Sequence, residues 1–367
     1  MNFLFSQFPA LEKKIAHVSL GSFPTPVIPL KQLEKIFGGG NFYLKNDGVS
    51  GSLYGGNKIR KLEYLLGDAL QKKAKEILTF GAAGSNHALA TAVYANKFSI
   101  PCTVMLLAQP NADYVRRNLK WGHALFARLR HYDSEKGMYI PLVVRMLKRF
   151  ITKGNFPYVI WPGGSVPLGN IGYVDAGLEL KDQIDKGLLP EPDKIYVPMG
   201  SMGTAVGLAI GLKAAGLKTQ VVAVRVSEAH MGNEKKFEAL YKKTIALLRS
   251  CDPEFPDMIL DQGDVDIIHD FFGEKYALFS KPGMEAVDLM QQKQGIQLEG
   301  TYTGKAMAAL IHSATSRKDQ NGVILFWNTY NAIDFSDAIN EVDYKELPEA
   351  FHRYFEEDVQ PLDKPVS

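Results

Sequence analysis

The chain has 367 residues, of which 46% are hydrophobic and 22% charged, with a formal net charge of +2. That length carries two domains or one large α/β domain. The near-neutral balance argues against a nucleic-acid or membrane partner. Two cysteines, Cys102 and Cys251, make no disulfide framework and suit a reducing cytoplasm; no window reaches membrane-spanning length, and the apolar start at residues 1–5 is too short for a signal peptide.

Hydrophobic periodicity predicts a first helix at 58–73, where Ile59, Leu62, Leu65, Leu66, Ala69 and Leu70 form a buried stripe. Strand 76–80, helix 85–97, strand 102–107 and helices 112–120 and 138–152 follow. Strand 194–198, helix 203–214, strand 220–225, helices 231–248, 283–293 and 303–315, and strand 322–327 complete the series. The alternation predicts an α/β protein with mostly parallel sheets and helices on both faces.

Three segments carry chemistry. Gly55-Gly56-Asn57 sets Lys58 directly after a tight turn, at the mouth of a helix. Burial and nearby positive charge lower a lysine's pKa, as a Schiff-base lysine requires. The apolar strand 194–198 runs into Gly200-Ser201-Met202-Gly203-Thr204, a glycine turn that opens a helix. Free amides and the helix dipole make this an anion site, and a single phosphate is its natural guest, because neither a Walker loop nor a dinucleotide fingerprint is present. The loop Gly84-Ser85-Asn86-His87 enters the helix at 85–97. Ser85 reads either as an N-cap or, with Asn86 and the helix-start amides, as a holder of a carboxylate.

These segments join Pro24-Thr25-Pro26, Tyr43-Leu44-Lys45-Asn46-Asp47, Pro162-Gly163-Gly164-Ser165 with Leu168-Gly169, and Tyr302-Thr303-Gly304-Lys305-Ala306-Met307. In this order the chain resembles the pyridoxal-phosphate enzymes that include 1-aminocyclopropane-1-carboxylate deaminase and D-cysteine desulfhydrase, in the tryptophan synthase β-like fold group. The resemblance implies pyridoxal 5'-phosphate as cofactor, a small amino acid as substrate and a homodimer. It also implies two open, twisted, mostly parallel sheets, with a small domain (56–164) inserted into a large one (1–55 and 165–367) and the cofactor in the cleft. The segment 109–160 matches least well and reads as a variant wall of the small domain.

By the same resemblance, Lys58 forms the Schiff base and moves the α-proton, and Asn57 binds the cofactor beside it. Asn86 bonds the cofactor's phenolic oxygen. Gly200, Ser201, Met202, Gly203 and Thr204 bind the phosphate, while Ser85, Asn86 and His87 meet the substrate carboxylate. Tyr302 and Tyr276 are the acid–base candidates, and Ser85 stands with them and Lys58 among the catalytic candidates. No metal is implied. Thr303 stands where the deaminase branch has an acid facing the pyridine nitrogen. A hydroxyl leaves the ring a weaker electron sink, which still suffices when a good leaving group departs from Cβ. Thr303 and His87 both follow the desulfhydrase pattern.

The chain departs from the family at Gly84, at Leu89, and at Asn328-Thr329-Tyr330-Asn331, where a Thr-Gly-Gly turn is expected. The leading expectation is α,β-elimination with release of a 2-oxo acid and ammonia. Deamination of 1-aminocyclopropane-1-carboxylate is the alternative enzyme. A pyridoxal-phosphate carrier or sensor without turnover is the alternative of another class.

Overall fold

The computed structural model describes residues 2–316 and 322–363. Its contacts divide the chain into two compact units. One holds the residues up to Tyr64 together with Ser165–Ile333, and the other holds Leu65–Gly164 together with the segment from Asp334.

The first unit is built on a six-stranded sheet. Its strands are β1 (Val27–Pro29), β2 (Asn41–Asn46), β7 (Lys194–Met199), β8 (Gln220–Arg225), β9 (Val265–Ile268) and β10 (Val323–Asn328), in the order β1-β2-β10-β7-β8-β9. All pairs are parallel except β1 with β2. Central strands buried on both faces read as unbroken apolar runs, and β7, β8 and β10 obey this: residues 195–199, 221–224 and 324–328 are all buried. The antiparallel edge strand β1 ends in Pro29, which lacks the N–H that an inner position needs.

The second unit has a four-stranded, wholly parallel sheet in the order β5-β4-β3-β6. These strands are β3 (Ile77–Ala82), β4 (Cys102–Leu107), β5 (Arg128–Tyr132) and β6 (Tyr158–Ile160). The parallel α/β architecture expected from the sequence is present in both sheets. Among the described residues, no helix is long and apolar enough to cross a membrane.

The grouping of segments departs from the expected domains in two places, the start of the small domain and the C-terminal segment. The turn 56–57 and the helix start at Lys58 belong to the first unit, and the segment from Asp334 belongs to the second. That C-terminal segment is tied down by polar side chains. Asn111 Nδ2 donates to the carbonyls of Tyr354 and Glu357 (3.0 and 2.9 Å), and Arg116 Nε donates to Tyr354 O (2.7 Å).

The helix Pro167–Asp185 was not legible in the sequence. It is buried on nearly every side from Gly169 to Leu180, so it carries no polar stripe from which a period can be read. It contributes Glu179 to a fully buried ionic cluster. Arg60 pairs with Asp47 (2.9 Å) and Glu179 (2.8 Å), Lys45 also pairs with Glu179, and Tyr173 Oη and Trp327 Nε1 donate to Asp47 (2.5 and 2.8 Å). Each buried charge therefore has a partner, without which its desolvation is prohibitive.

Candidate functional site

In the first unit the lysine turn is pinned by the strand-end segment after β10. Gly55 N donates to Asn331 Oδ1 (2.6 Å) and Asn57 N donates to Thr329 O (3.1 Å). A Cβ on Gly55 would lie 1.9 Å from Gly48 O, so only glycine fits. The turn delivers Lys58 as the first residue of the helix Lys58–Gln71. Lys58 is half-buried, and burial lowers its amine to about 8, with the opposing charge of Glu299 limiting the fall.

The glycine turn lies beside it. Asn57 Nδ2 donates to Thr204 Oγ1 at 3.0 Å, which ties the lysine turn to the start of the helix Gly203–Ala214. Met202 enters that helix at φ +66°, a strained conformation for a residue with a side chain and one that recurs at ligand sites. Gly203 N donates to Ser165 Oγ (3.1 Å), which also meets Ser201 Oγ (2.8 Å) and accepts from Lys61 Nζ (3.0 Å). A Cβ on Gly203 would lie 2.5 Å from that hydroxyl and 2.9 Å from Lys61 Nζ. Hydroxyls, a buried amine and the first amides of a helix thus converge on one turn, as a phosphate site requires.

The tyrosine pair meets the same turn. Tyr276 and Tyr302 share a hydrogen bond through their hydroxyls, and a Cβ on Gly200 would lie 3.1 Å from Tyr302 Cε1. Burial pushes the Tyr276 hydroxyl up to about 12, so it stays protonated near neutrality. Thr303 is fully buried, and its Oγ1 accepts from Glu299 N at 2.9 Å. Glu299 caps this helix start: Oε1 accepts from the amides of Tyr302 (2.7 Å) and Thr303 (2.9 Å), and Oε2 from Thr301 (2.8 Å). Lys305 of the same motif is turned away, with Nζ donating to Phe272 O at 2.6 Å.

In the second unit Ser85 caps the helix Asn86–Lys97, accepting from Ala88 N at 3.2 Å. Asn118 Nδ2 donates both to Asn86 Oδ1 (3.0 Å) and to Gly84 O (2.9 Å), while Gly84 N donates to Gln109 Oε1 (2.8 Å). Ser85 and Asn86 are half-buried, and His87 is buried.

The structure thus brings together Asn57, Lys58, residues 200–204, Tyr276, Tyr302 and Thr303 in one unit, and Ser85, Asn86 and His87 in the other. Sequence reasoning missed Lys61, Ser165, Glu299 and Asn331 as parts of the site. Lys61 had a signal: it lies three residues after Lys58, on the same helix face. Glu299 sits just ahead of a helix start, where a carboxylate is favoured.

These residues fit pyridoxal phosphate on chemical grounds. Lys58 supplies an amine titrating near neutrality for the aldehyde. Lys61, Ser165, Ser201, Thr204 and the amides of the glycine turn would hold the phosphate.

Comparison with known proteins agrees. The profile of pyridoxal-phosphate dependent enzymes matches residues 18–329. A D-cysteine desulfhydrase of Salmonella schwarzengrund is 34% identical over 334 residues, covering 89% of this chain and 95% of the relative. One of Serratia proteamaculans is 33% identical over 329 residues, covering 88% and 96%. The solved structure of an ACC deaminase homologue is 30% identical with a TM-score of 0.74, covering 88% of this chain and 93% of that one. The chain belongs to the family of pyridoxal-phosphate dependent enzymes.

Proposed function

We propose that this enzyme catalyses α,β-elimination on a small amino acid carrying a leaving group at Cβ, in the manner of a D-cysteine desulfhydrase. The observation that carries this reading is Thr303 itself, a buried hydroxyl where the deaminase branch has an acid. Glu299 is the carboxylate at this turn, and both its oxygens are spent on backbone amides. The turn therefore offers no free acid to keep a pyridine nitrogen protonated. The 34% identity to D-cysteine desulfhydrases points the same way.

When bound, the cofactor supplies a conjugated sink for the electron pair left at Cα. Lys58, half-buried and titrating at about 8, takes the Cα proton. The Tyr276–Tyr302 pair holds a proton for the departing sulfur. The Cα–H and Cβ–S bonds break, sulfide leaves, and the resulting enamine is hydrolysed to a 2-oxo acid and ammonia. The helix start at Ser85 and Asn86 is the candidate for the substrate carboxylate, with amides and dipole favouring an anion. Both cysteines are free thiols, which supports a cytoplasmic setting.

The test is a parallel assay of D-cysteine, β-chloro-D-alanine and 1-aminocyclopropane-1-carboxylate, reading 2-oxo acid and ammonia. The first two are expected to react and the cyclopropane to react slowly or not at all. Thr303→Glu should narrow the gap by supplying a carboxylate, at a cost in stability beside buried Glu299. Faster turnover of the cyclopropane by the unaltered enzyme would establish a deaminase instead. Cofactor binding without 2-oxo acid from any amino acid would establish a carrier.

A further inference from the structure

The helix Glu135–Lys153 is packed inside out. Met138 and Leu142 of its inward side rest on Leu78, Phe80 and Met105 of the small sheet. The rest of that side is ionic: Arg145 and Arg149 both bind Glu76, with Arg149 Nη1 at 2.7 Å, and Arg145 Nη2 donates to Thr103 Oγ1 at 2.7 Å. The outward side is apolar. Ile140 is 70% exposed, Val144 56%, Leu147 51% and Ile151 80%, flanked by exposed Tyr139, Val143 and Phe150. No residue of the helix is buried. The spacing 140, 144, 147, 151 draws a continuous apolar strip along a helix about 28 Å long. An exposed apolar face of this size marks an interaction surface.

Charge selects the occupant. The exposed cations along this face are Lys136 and Lys148, while Glu135, the helix's single carboxylate, is its first residue. Arg145 and Arg149 are spent inward on Glu76, so the charge that flanks the strip is that of these two lysines, with no acid among the strip residues. An apolar strip with lysines on its flanks and aromatic rings beside it suits an anionic bilayer: the strip enters the acyl boundary, the rings sit at headgroup level, and the lysine stems reach the phosphates. A second copy of the same helix brings only like charges to the strip. We infer that this helix docks the enzyme reversibly on an anionic lipid surface. The whole-chain charge of +2 conceals the feature, because the cations are local. The inference is independent of the substrate assignment.

The test is co-sedimentation of the full-length holoenzyme with phosphatidylcholine vesicles, with and without about 30% phosphatidylserine. Binding is expected to the anionic vesicles and to weaken as salt rises. Leu147→Asp and Ile140→Asp should lower it at least tenfold, and Lys148→Glu about fivefold or more. These side chains are exposed, so circular dichroism and turnover of free substrate should be unchanged. Absence of binding to either vesicle overturns the inference, as does binding that Leu147→Asp leaves intact. A solution dimer abolished by Leu147→Asp, with no vesicle binding, would assign the strip to a second copy instead.

Discussion

Lys58 and Lys61 stand one helical turn apart in different surroundings. Lys58 is half-buried and titrates at about 8; Lys61 is fully buried and held well below the ordinary lysine range by burial and then by the charge of Lys58. Their partners separate their roles, since Lys61 donates to Ser165 at the glycine turn. Borohydride should therefore fix the cofactor on Lys58 and not on Lys61, as read by peptide mapping. The Lys58 shift has a consequence for stability. Below about 8 both folded and unfolded chains carry its proton and the full burial penalty stands. Between about 8 and the ordinary value of 10.5 the folded chain has lost a proton that the unfolded chain keeps, so stability rises with pH. The melting temperature of the cofactor-free protein, relative to Lys58→Met, should climb across that window. A flat or falling difference would contradict the assignment.

At the scale of elements, the segment after β10 does work that its sequence concealed. Where the family pattern has Thr-Gly-Gly, this chain has Asn328-Thr329-Tyr330-Asn331, and those residues hold the lysine turn rather than disrupt it. Asn331 Oδ1 accepts from both Gly55 N and Ile333 N (2.6 and 3.1 Å), and Asn328 Oδ1 accepts from Tyr330 N (3.1 Å). Asn331→Ala removes the acceptor from a buried amide, at a cost of about 1–3 kcal/mol. Turnover should fall with stability, because the turn carrying Lys58 loosens, while Asn331→Asp retains an acceptor and should keep more of both. Thermal melts and kcat on the two variants check this; equal behaviour of the two would show that the acceptor is idle. The site is thus assembled from turns that clamp one another across distant sequence.

At the scale of the whole molecule, the ionic cluster under the lysine helix ties four segments of the first unit together. Arg60 lies two residues from Lys58, and its guanidinium joins Asp47, Glu179 and the hydroxyl of Thr25. Arg60→Met leaves two buried carboxylates without their shared cation, and about 3–5 kcal/mol should be lost. The paired change Arg60→Met with Asp47→Asn should recover part of it, measured by denaturant unfolding. No recovery would mean that packing of the guanidinium over the Phe23 ring, 4.2 Å away, dominates instead.

The sequence by itself determined the parallel α/β class and, through the family resemblance carried by the lysine turn, the glycine turn and the tyrosine motif, the cofactor. Each of these motifs is written in a few contiguous residues, because a glycine turn at a helix start constrains its own backbone wherever it stands. Strands β1, β2, β5, β6 and β9 escaped notice because they are short or polar-rich, and the helix 167–185 because burial all round erased its period. Only the tertiary structure decided that Lys61 and Ser165 meet at the glycine turn, that Asn331 holds the lysine turn, that Thr303 and Glu299 satisfy each other, and that the helix Glu135–Lys153 turns its apolar side outward. Those facts depend on partners tens to hundreds of residues away, or on which side of a helix a sheet covers. A local pattern carries no record of either.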